Sequence, residues 1–129
     1  RQKSRYCMEL ASRVESGHLK LNDLANLPVE QGRQALLDVP GLGPWSVDVY
    51  YMMALRNPDV WPFGDLALAD AIADIKGLKA HPSRDEQAGI TREWAPWRAV
   101  AARLLWAHYL DARGQSAPGA CSNRLNFWR

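Results

Sequence analysis

One short segment, Leu37 to Trp45 (LDVPGLGPW), constrains the fold of this chain more than any other. It separates two stretches whose apolar residues recur at helical spacing, and its Pro-Gly-Leu-Gly centre is a strong helix breaker. Pro44 suits the first turn of a new helix, because the N–H that proline lacks has no intrahelical partner there. The segment therefore predicts two helices joined by a tight hairpin.

The glycines of this hairpin also suggest a ligand. Glycine accepts positive φ and has no side chain, so a phosphate can approach the backbone closely. The second helix would add unpaired N–H groups and the positive end of its dipole. We therefore predict that the N–H groups of Gly41, Leu42 and Gly43 bind a phosphate of DNA. The alternative is an ordinary helix–helix turn, and similar hairpins also occur in DNA-binding modules that catalyse nothing.

The charge of the chain is compatible with phosphate binding by backbone N–H groups. The net charge is only +2, although residues 1–20 carry five Lys or Arg against two Glu, and residues 96–129 carry five Arg against one Asp. A surface that bound phosphates mainly by bulk charge would be more basic. Much of any hold on DNA should therefore come from backbone donors.

Several classes of protein are disfavoured. Cys7 and Cys121 form no C-x-x-C pair and cannot supply a four-thiolate cluster. No apolar run approaches the ~20 residues that a membrane helix needs, and no secretory signal is visible. We expect a cytoplasmic protein, associated with the nucleoid if bacterial, and no membrane partner.

Helical spacing recurs along the chain, and clean strand alternation does not. We predict an all-α helical bundle with helices at about 3–16, 29–38, 44–55, 65–75, 83–94 and 96–110, and a short turn near 21–25. The last helix should bury a stripe formed by Trp97, Val100, Ala101, Leu104 and Leu105. Residues 112–129 are expected to be a flexible tail; alternatively, the apolar cluster at 125–128 docks on the domain.

A second informative segment runs from Trp61 to Leu68 and places Asp65 after an apolar loop, at the start of a predicted helix. Helix-end N–H groups would hold this carboxylate in its ionised form. An anion beside aromatic side chains suits a reaction that develops positive charge, such as cleavage of an N-glycosidic bond. On these residues alone, a simple helix N-cap is the favoured interpretation.

The two segments together resemble the helix-hairpin-helix–Gly/Pro–Asp superfamily of DNA glycosylases, since Gly64-Asp65 follows the hairpin by about 20 residues. Trp94-Ala95-Pro96-Trp97-Arg98, and then Trp106, are similar to its 3-methyladenine DNA glycosylase II branch. The resemblance implies an all-α, DNA-glycosylase-type helical bundle with a helix-hairpin-helix motif, lacking the N-terminal helices. Residues 1–111 would then be the C-terminal part of the catalytic domain, and a missing N-terminal segment or a second chain would cover the first helix.

The resemblance also implies roles for individual residues. Asp65 matches the catalytic aspartate. Trp45 matches a pocket aromatic at the place where bifunctional relatives have a Schiff-base lysine, which implies a monofunctional hydrolase. Trp106 matches a second pocket aromatic. It lies off the predicted buried stripe of the last helix, and this supports an exposed position. The alternative for Trp106 is packing under the N-terminal helices or the tail.

No cofactor is implied as a requirement, but the resemblance implies a monovalent cation, sodium or potassium, held by hairpin carbonyls. The matching residues are Leu37, Val39 and Leu42, and backbone carbonyls suit a hard ion. The sequence alone cannot reveal such an ion.

Other polar and aromatic residues have simpler interpretations. Asp48 is a rival acid one helical turn after Trp45, but its position favours it less than Asp65. Trp94, Trp97 and Arg98 are expected to be structural, with Arg98 paired to a carboxylate. The three histidines show no ligand spacing.

The implied function is base excision repair of double-stranded DNA: flipping out an alkylated purine of the 3-methyladenine type and hydrolysing its N-glycosidic bond. This fragment by itself is expected to be less than fully active. The alternatives are a non-catalytic module that only binds duplex DNA, and a helical interaction domain.

Overall fold

The computed structural model describes residues 2–114, and over this range it is all-helical, as predicted. The elements, in chain order, are α1 (Gln2–Glu15), a short 3-10 helix (Leu21–Asn26), α2 (Val29–Leu37), α3 (Pro44–Met53), α4 (Leu66–Lys76), α5 (Arg84–Arg92) and α6 (Arg98–Ala112). The predicted helices agree with these bounds to within about two residues. Most of the predicted tail, from residue 115 onward, lies outside the described residues, as does the apolar cluster at 125–128.

Local sequence explains where the helices begin and end. Pro44 occupies the first turn of α3, as its missing N–H allows. The side chain of Ser83 accepts from the Glu86 N–H while the Glu86 carboxylate accepts from the Ser83 N–H, which is the predicted capping box of α5. Gly77 ends α4 at φ +64°, a conformation that other residues adopt only with strain.

The core lies between the hairpin helices and the α4–α6 pair. α2 packs on α3 and on the 3-10 helix, and α4 packs on α6. The largest side chains that are almost fully buried come from the 3-10 helix, the hairpin, α3, the loop before α4, α4 and α5: Leu24, Val39, Val47, Met52, Pro62, Leu68, Ile72 and Thr91. No helix within residues 2–114 combines the length and the apolar character that crossing a membrane requires.

The predicted stripe of α6 is right for Leu105 and wrong for Trp97, Val100 and Leu104. The buried residues of this helix are Ala99, Ala102 and Leu105, whereas Trp97 and Leu104 are 60 % and 68 % exposed. Alanines have small side chains, so a helix that turns them inward can approach its neighbour closely. α4 also buries alanines, Ala69 and Ala71, and α6 is its main packing partner. Close approach of the two backbones therefore outweighs the burial of the larger side chains.

Candidate active site

Asp65 is the N-cap residue of α4. Its backbone is extended, at φ −76° and ψ 114°, and its Oδ1 accepts the N–H of Leu68 at 3.0 Å. This bond satisfies one of the free N–H groups at the start of the helix. The simple N-cap interpretation is therefore correct as far as Oδ1 is concerned, and it leaves the second carboxylate oxygen available for another task.

That second oxygen meets the predicted pocket aromatic. The indole Nε1–H of Trp45 donates to Asp65 Oδ2 at 2.9 Å, although the two residues lie 20 positions apart. Trp45 sits in the first turn of α3 and keeps 45 % of its surface exposed. The structure thus brings together the two residues that the sequence singled out, with one edge of the indole held by the carboxylate and part of its surface open to solvent.

The loop that precedes Asp65 is anchored at two of its residues, Trp61 and Phe63. Trp61 is buried and packs against Trp94 with ring centroids 5.6 Å apart, and its Nε1–H donates to Gln87 Oε1 at 3.4 Å. The guanidinium of Arg84 lies over the Phe63 ring, 4.8 Å from the ring centroid. Sequence reasoning missed Gln87 and Arg84, because their partners lie more than 20 residues away. The anchored loop fixes the position of Asp65 relative to the core.

The hairpin has the predicted form, but the N–H groups of its three central residues differ in availability. Gly41 adopts φ +92°, and the space where its Cβ would stand is filled by the ring of Tyr6. The Leu42 N–H donates to the Val39 carbonyl at 3.1 Å and is used inside the turn. The N–H groups of Gly41 and Gly43 have no protein acceptor within residues 2–114. These two remain free to bind a ligand, whereas that of Leu42 is already paired.

The start of α3 adds two more such donors. Its N-cap, Gly43, has no side chain that could accept from the first turn, and Pro44 has no N–H to satisfy. Among the described residues, the N–H groups of Trp45 and Ser46 donate to no carbonyl or side chain. The hairpin therefore presents a set of unpaired amides at the positive end of a helix dipole, beside the indole that contacts Asp65.

The cation expected on the hairpin carbonyls stays a prediction. Leu37 is the last residue of α2, where the helix dipole is negative, and neither its carbonyl nor that of Leu42 accepts a backbone N–H from residues 2–114. The Val39 carbonyl accepts the Leu42 N–H and keeps one lone pair. The three oxygens suit a hard monovalent ion.

Trp106 lies on α6, half-buried and packed against the core. The argument that it lies off the buried stripe does not hold, because the buried face runs through Ala102 and Leu105. Its place in the pocket stays a prediction.

Asp48, the rival acid, has a structural environment. It is 3 % exposed, and its Oδ1 forms an ion pair with the guanidinium of Arg33, which links α3 to α2. Arg98 pairs with a carboxylate as predicted: its Nε and one terminal nitrogen donate to Asp59 at 2.7 and 2.8 Å. His81 and His108 pair with Asp70 and Asp74 of α4.

Known proteins resemble this chain over most of its length. Two Bacillus subtilis proteins whose names give the activity DNA-3-methyladenine glycosylase, YfjP among them, are each 29 % identical over 105 residues, or 81 % of this chain. A Mycobacterium tuberculosis protein named a probable bifunctional transcriptional activator/DNA repair enzyme, AlkA, is 35 % identical over 83 residues, which is 60 % of this chain and 15 % of that protein. No family model matches the chain.

These relatives confirm the resemblance to 3-methyladenine DNA glycosylases that the motifs indicated. The chain spans only about a third of their length, 37 % and 35 % of the two Bacillus subtilis proteins.

Proposed function

We propose that this chain carries the catalytic aspartate and the DNA-gripping hairpin of a monofunctional DNA N-glycosylase, which removes alkylated purines of the 3-methyladenine type from double-stranded DNA. The observation that carries the proposal is the hydrogen bond from Trp45 to Asp65. It places a carboxylate against a partly exposed indole, beside a hairpin whose amides are unpaired. The names of the relatives support the same activity.

The damaged nucleotide is flipped out of the duplex, which costs least for a base that stacks or pairs poorly. An alkylated purine carries positive charge, so the exposed face of the Trp45 indole attracts it by a cation–π interaction. Trp106 forms a second wall of the pocket. Because the lesion is already a good leaving group, little acid catalysis is needed.

Asp65 acts on the sugar. As the bond between C1′ and the base nitrogen breaks, its electron pair goes to the base and neutralises it, and the sugar develops oxocarbenium character. The carboxylate stabilises this positive charge. Water then forms the new bond to C1′ and loses a proton, which leaves an abasic site. The Leu68 and Trp45 N–H groups hold one carboxylate oxygen each and so orient the group before the reaction.

Trp45 also restricts the reaction type. A lysine at this place could form a Schiff base with the sugar and cut the strand, but an indole cannot. We therefore expect base release by hydrolysis without strand cleavage.

The hairpin holds the DNA strand. The oxygens of one phosphate accept from the free N–H groups of Gly41, Gly43, Trp45 and Ser46. The N–H of Leu42, which is paired with Val39, stabilises the turn. A monovalent cation on the carbonyls of Leu37, Val39 and Leu42 would add positive charge near the same phosphate.

The test is release of alkylated purines from methylated duplex DNA, measured in the longest natural polypeptide that contains this chain, with and without Asp65→Asn. We expect wild-type release to fall about 10²–10³-fold in the variant, the usual effect of removing one preorganised electrostatic group, while DNA affinity is kept. Equal release by both proteins would overturn the catalytic role of Asp65. DNA binding with no release by the wild type would instead identify a non-catalytic binding module.

A further inference from the structure

The side chain of Tyr6, on α1, contacts the hairpin. The ring of Tyr6 fills the space that the missing side chain of Gly41 leaves open, and its hydroxyl lies 2.7 Å from Gln2 Nε2, which donates to it. α1 buries none of its residues fully. The ring of Tyr6 is therefore held next to the hairpin.

Arg5 lies over the same ring. Its guanidinium carbon is 5.8 Å from the centroid of the Tyr6 ring, within the range of a cation–π interaction. A groove of about 270 Å³ opens here, lined by Arg5, Tyr6, Glu9 and Pro40. Pro40 directly precedes Gly41, so the groove runs onto the hairpin turn. The arginine therefore lines a depression that reaches the residue before the predicted phosphate site.

The charges around the groove leave Arg5 without a carboxylate. Glu9 also lines the groove, but its Oε1 forms an ion pair with Arg13 at 2.8 Å. Among residues 2–114, Arg5 takes part in no ion pair. A ring contact neutralises none of the guanidinium's charge and leaves its N–H edges open, and those edges match the oxygens of a phosphate in pairs.

We propose that Arg5, supported on Tyr6, binds a second DNA backbone phosphate, next to the one that the hairpin amides hold. This inference rests on the proposed function only in that the hairpin binds DNA; it is independent of base release. It makes α1 part of the DNA interface and gives a role to the basic excess of residues 1–20. The grip then combines uncharged amide donors with one guanidinium.

Salt dependence tests the proposal, because each phosphate that a cationic side chain neutralises adds about 0.9 to the slope of log K against log salt. Duplex DNA binding is measured from 50 to 200 mM salt for the full chain and for Arg5→Gln. We expect the slope to fall by about 0.9, so that the advantage of wild type over the variant shrinks about 3.5-fold across this range. The double variant Glu9→Gln, Arg13→Gln is the control: it removes an arginine of the same helix together with its partner carboxylate, so no unpaired Glu9 is left beside Arg5, and it should leave the slope unchanged.

A second variant examines the support. Tyr6→Leu should weaken binding, and Arg5→Gln made in the Tyr6→Leu background should cost less affinity than it does in wild type, because the guanidinium is no longer held. Circular dichroism confirms that each variant is folded. An unchanged slope in Arg5→Gln, or an equal loss of slope in Arg5→Gln and in the double variant Glu9→Gln, Arg13→Gln, would overturn the proposal.

Failure here is distinguishable from failure of the proposed function. The salt slope of DNA binding reports the phosphate contact of Arg5, and base release reports the role of Asp65, so the two readouts test separate sites. If Asp65→Asn retained full release while Arg5→Gln still lowered the slope, the catalytic assignment would fail and the phosphate contact would stand.

Discussion

Trp45 donates a hydrogen bond to one oxygen of the Asp65 carboxylate, and the other oxygen has a different partner. Oδ2 accepts the indole N–H at 2.9 Å, and Oδ1 accepts the Leu68 N–H at 3.0 Å. The first bond orients the side chain toward the aromatic surface, and the second stabilises the start of α4. Because different oxygens make them, substitutions at these positions should separate stability from catalysis.

Asp65→Asn and Asp65→Ala should differ in stability. Asparagine caps a helix about as well as aspartate does, whereas alanine at an N-cap costs about 1 kcal/mol. Asparagine keeps the cap and loses only the bond from the indole, whereas alanine loses both bonds. We therefore expect the urea midpoint to fall less in Asp65→Asn than in Asp65→Ala, while both variants lose base release. An asparagine variant as unstable as the alanine variant would mean that the carboxylate charge, and not the cap, stabilises α4.

Trp45→Phe removes the indole N–H and keeps an aromatic face. A hydrogen bond to a charged group contributes about 1.5–3 kcal/mol, so losing the orientation of Asp65 should lower single-turnover release by about tenfold or more. Lesion binding should change less, because phenylalanine still offers a ring. Trp45→Leu should impair both. Trp97→Phe is the control, since Trp97 is an indole with 60 % of its surface exposed; a loss of release equal to that of Trp45→Phe would argue against the orienting role.

The parts of the molecule that follow local rules could be predicted from the sequence. The hairpin follows from Pro40 and Gly41, and the cap of α4 follows from the position of Asp65. The buried face of α6 could not be predicted, because residues 97, 100 and 104 and residues 99, 102 and 105 both recur at helical spacing. Only the approach of α4 decides between the two faces.

Contacts between residues far apart in the sequence could not be predicted from it either. The site pair was predictable because a resemblance linked residues 45 and 65. No such guide existed for Tyr6 on Gly41 or for Arg84 on Phe63. Each of these contacts joins segments whose relative placement depends on the whole packing arrangement.

Adjacent leucines test the observed face of α6. Leu105 is 6 % exposed and Leu104 is 68 % exposed. Leu105→Ala should lower the free energy of unfolding by about 2–4 kcal/mol, because it removes packed methyl groups and leaves a cavity. Leu104→Ala should change it by less than about 0.5 kcal/mol. Urea unfolding of the two variants compares them directly, and equal losses would mean that α6 buries the predicted stripe after all.

The pair formed by Arg33 and Asp48 should matter for stability. Removing one partner of a fully buried ion pair costs about 3–5 kcal/mol. The Arg33 side chain is 20 % exposed and also lies 3.7 Å from Glu30, so its charge stays partly compensated when Asp48 is removed. We therefore expect Asp48→Ala to lose about 1–3 kcal/mol in urea unfolding. The double variant Arg33→Met, Asp48→Leu should recover much of the loss, because no buried charge remains. A stable Asp48→Ala protein without base release would instead make Asp48 the catalytic acid.

Stability should depend on pH through Asp59. The side-chain hydrogen bonds from Arg98 hold the pKa of this carboxyl below its usual value, partial burial opposes the shift, and the backbone N–H and charge of Arg98 add to the lowering. A folded-state pKa below the unfolded one means that the stabilisation is fully present above about pH 4, the ordinary aspartate value, and is lost as the pH falls through the folded pKa. At neutral pH, Asp59→Asn should therefore be less stable than wild type by about 1–2 kcal/mol, and the difference should shrink as the solution is acidified. Urea unfolding from pH 6 to pH 3 measures this difference in stability.

Glu86 provides the control, because the Ser83 N–H is the first cause of a lowered pKa at that carboxyl too. When Asp59→Asn is made in the Glu86→Gln background, the difference in stability should still shrink as the pH falls. A difference that stays constant with pH would show that the Asp59–Arg98 contact adds no charge-dependent stability.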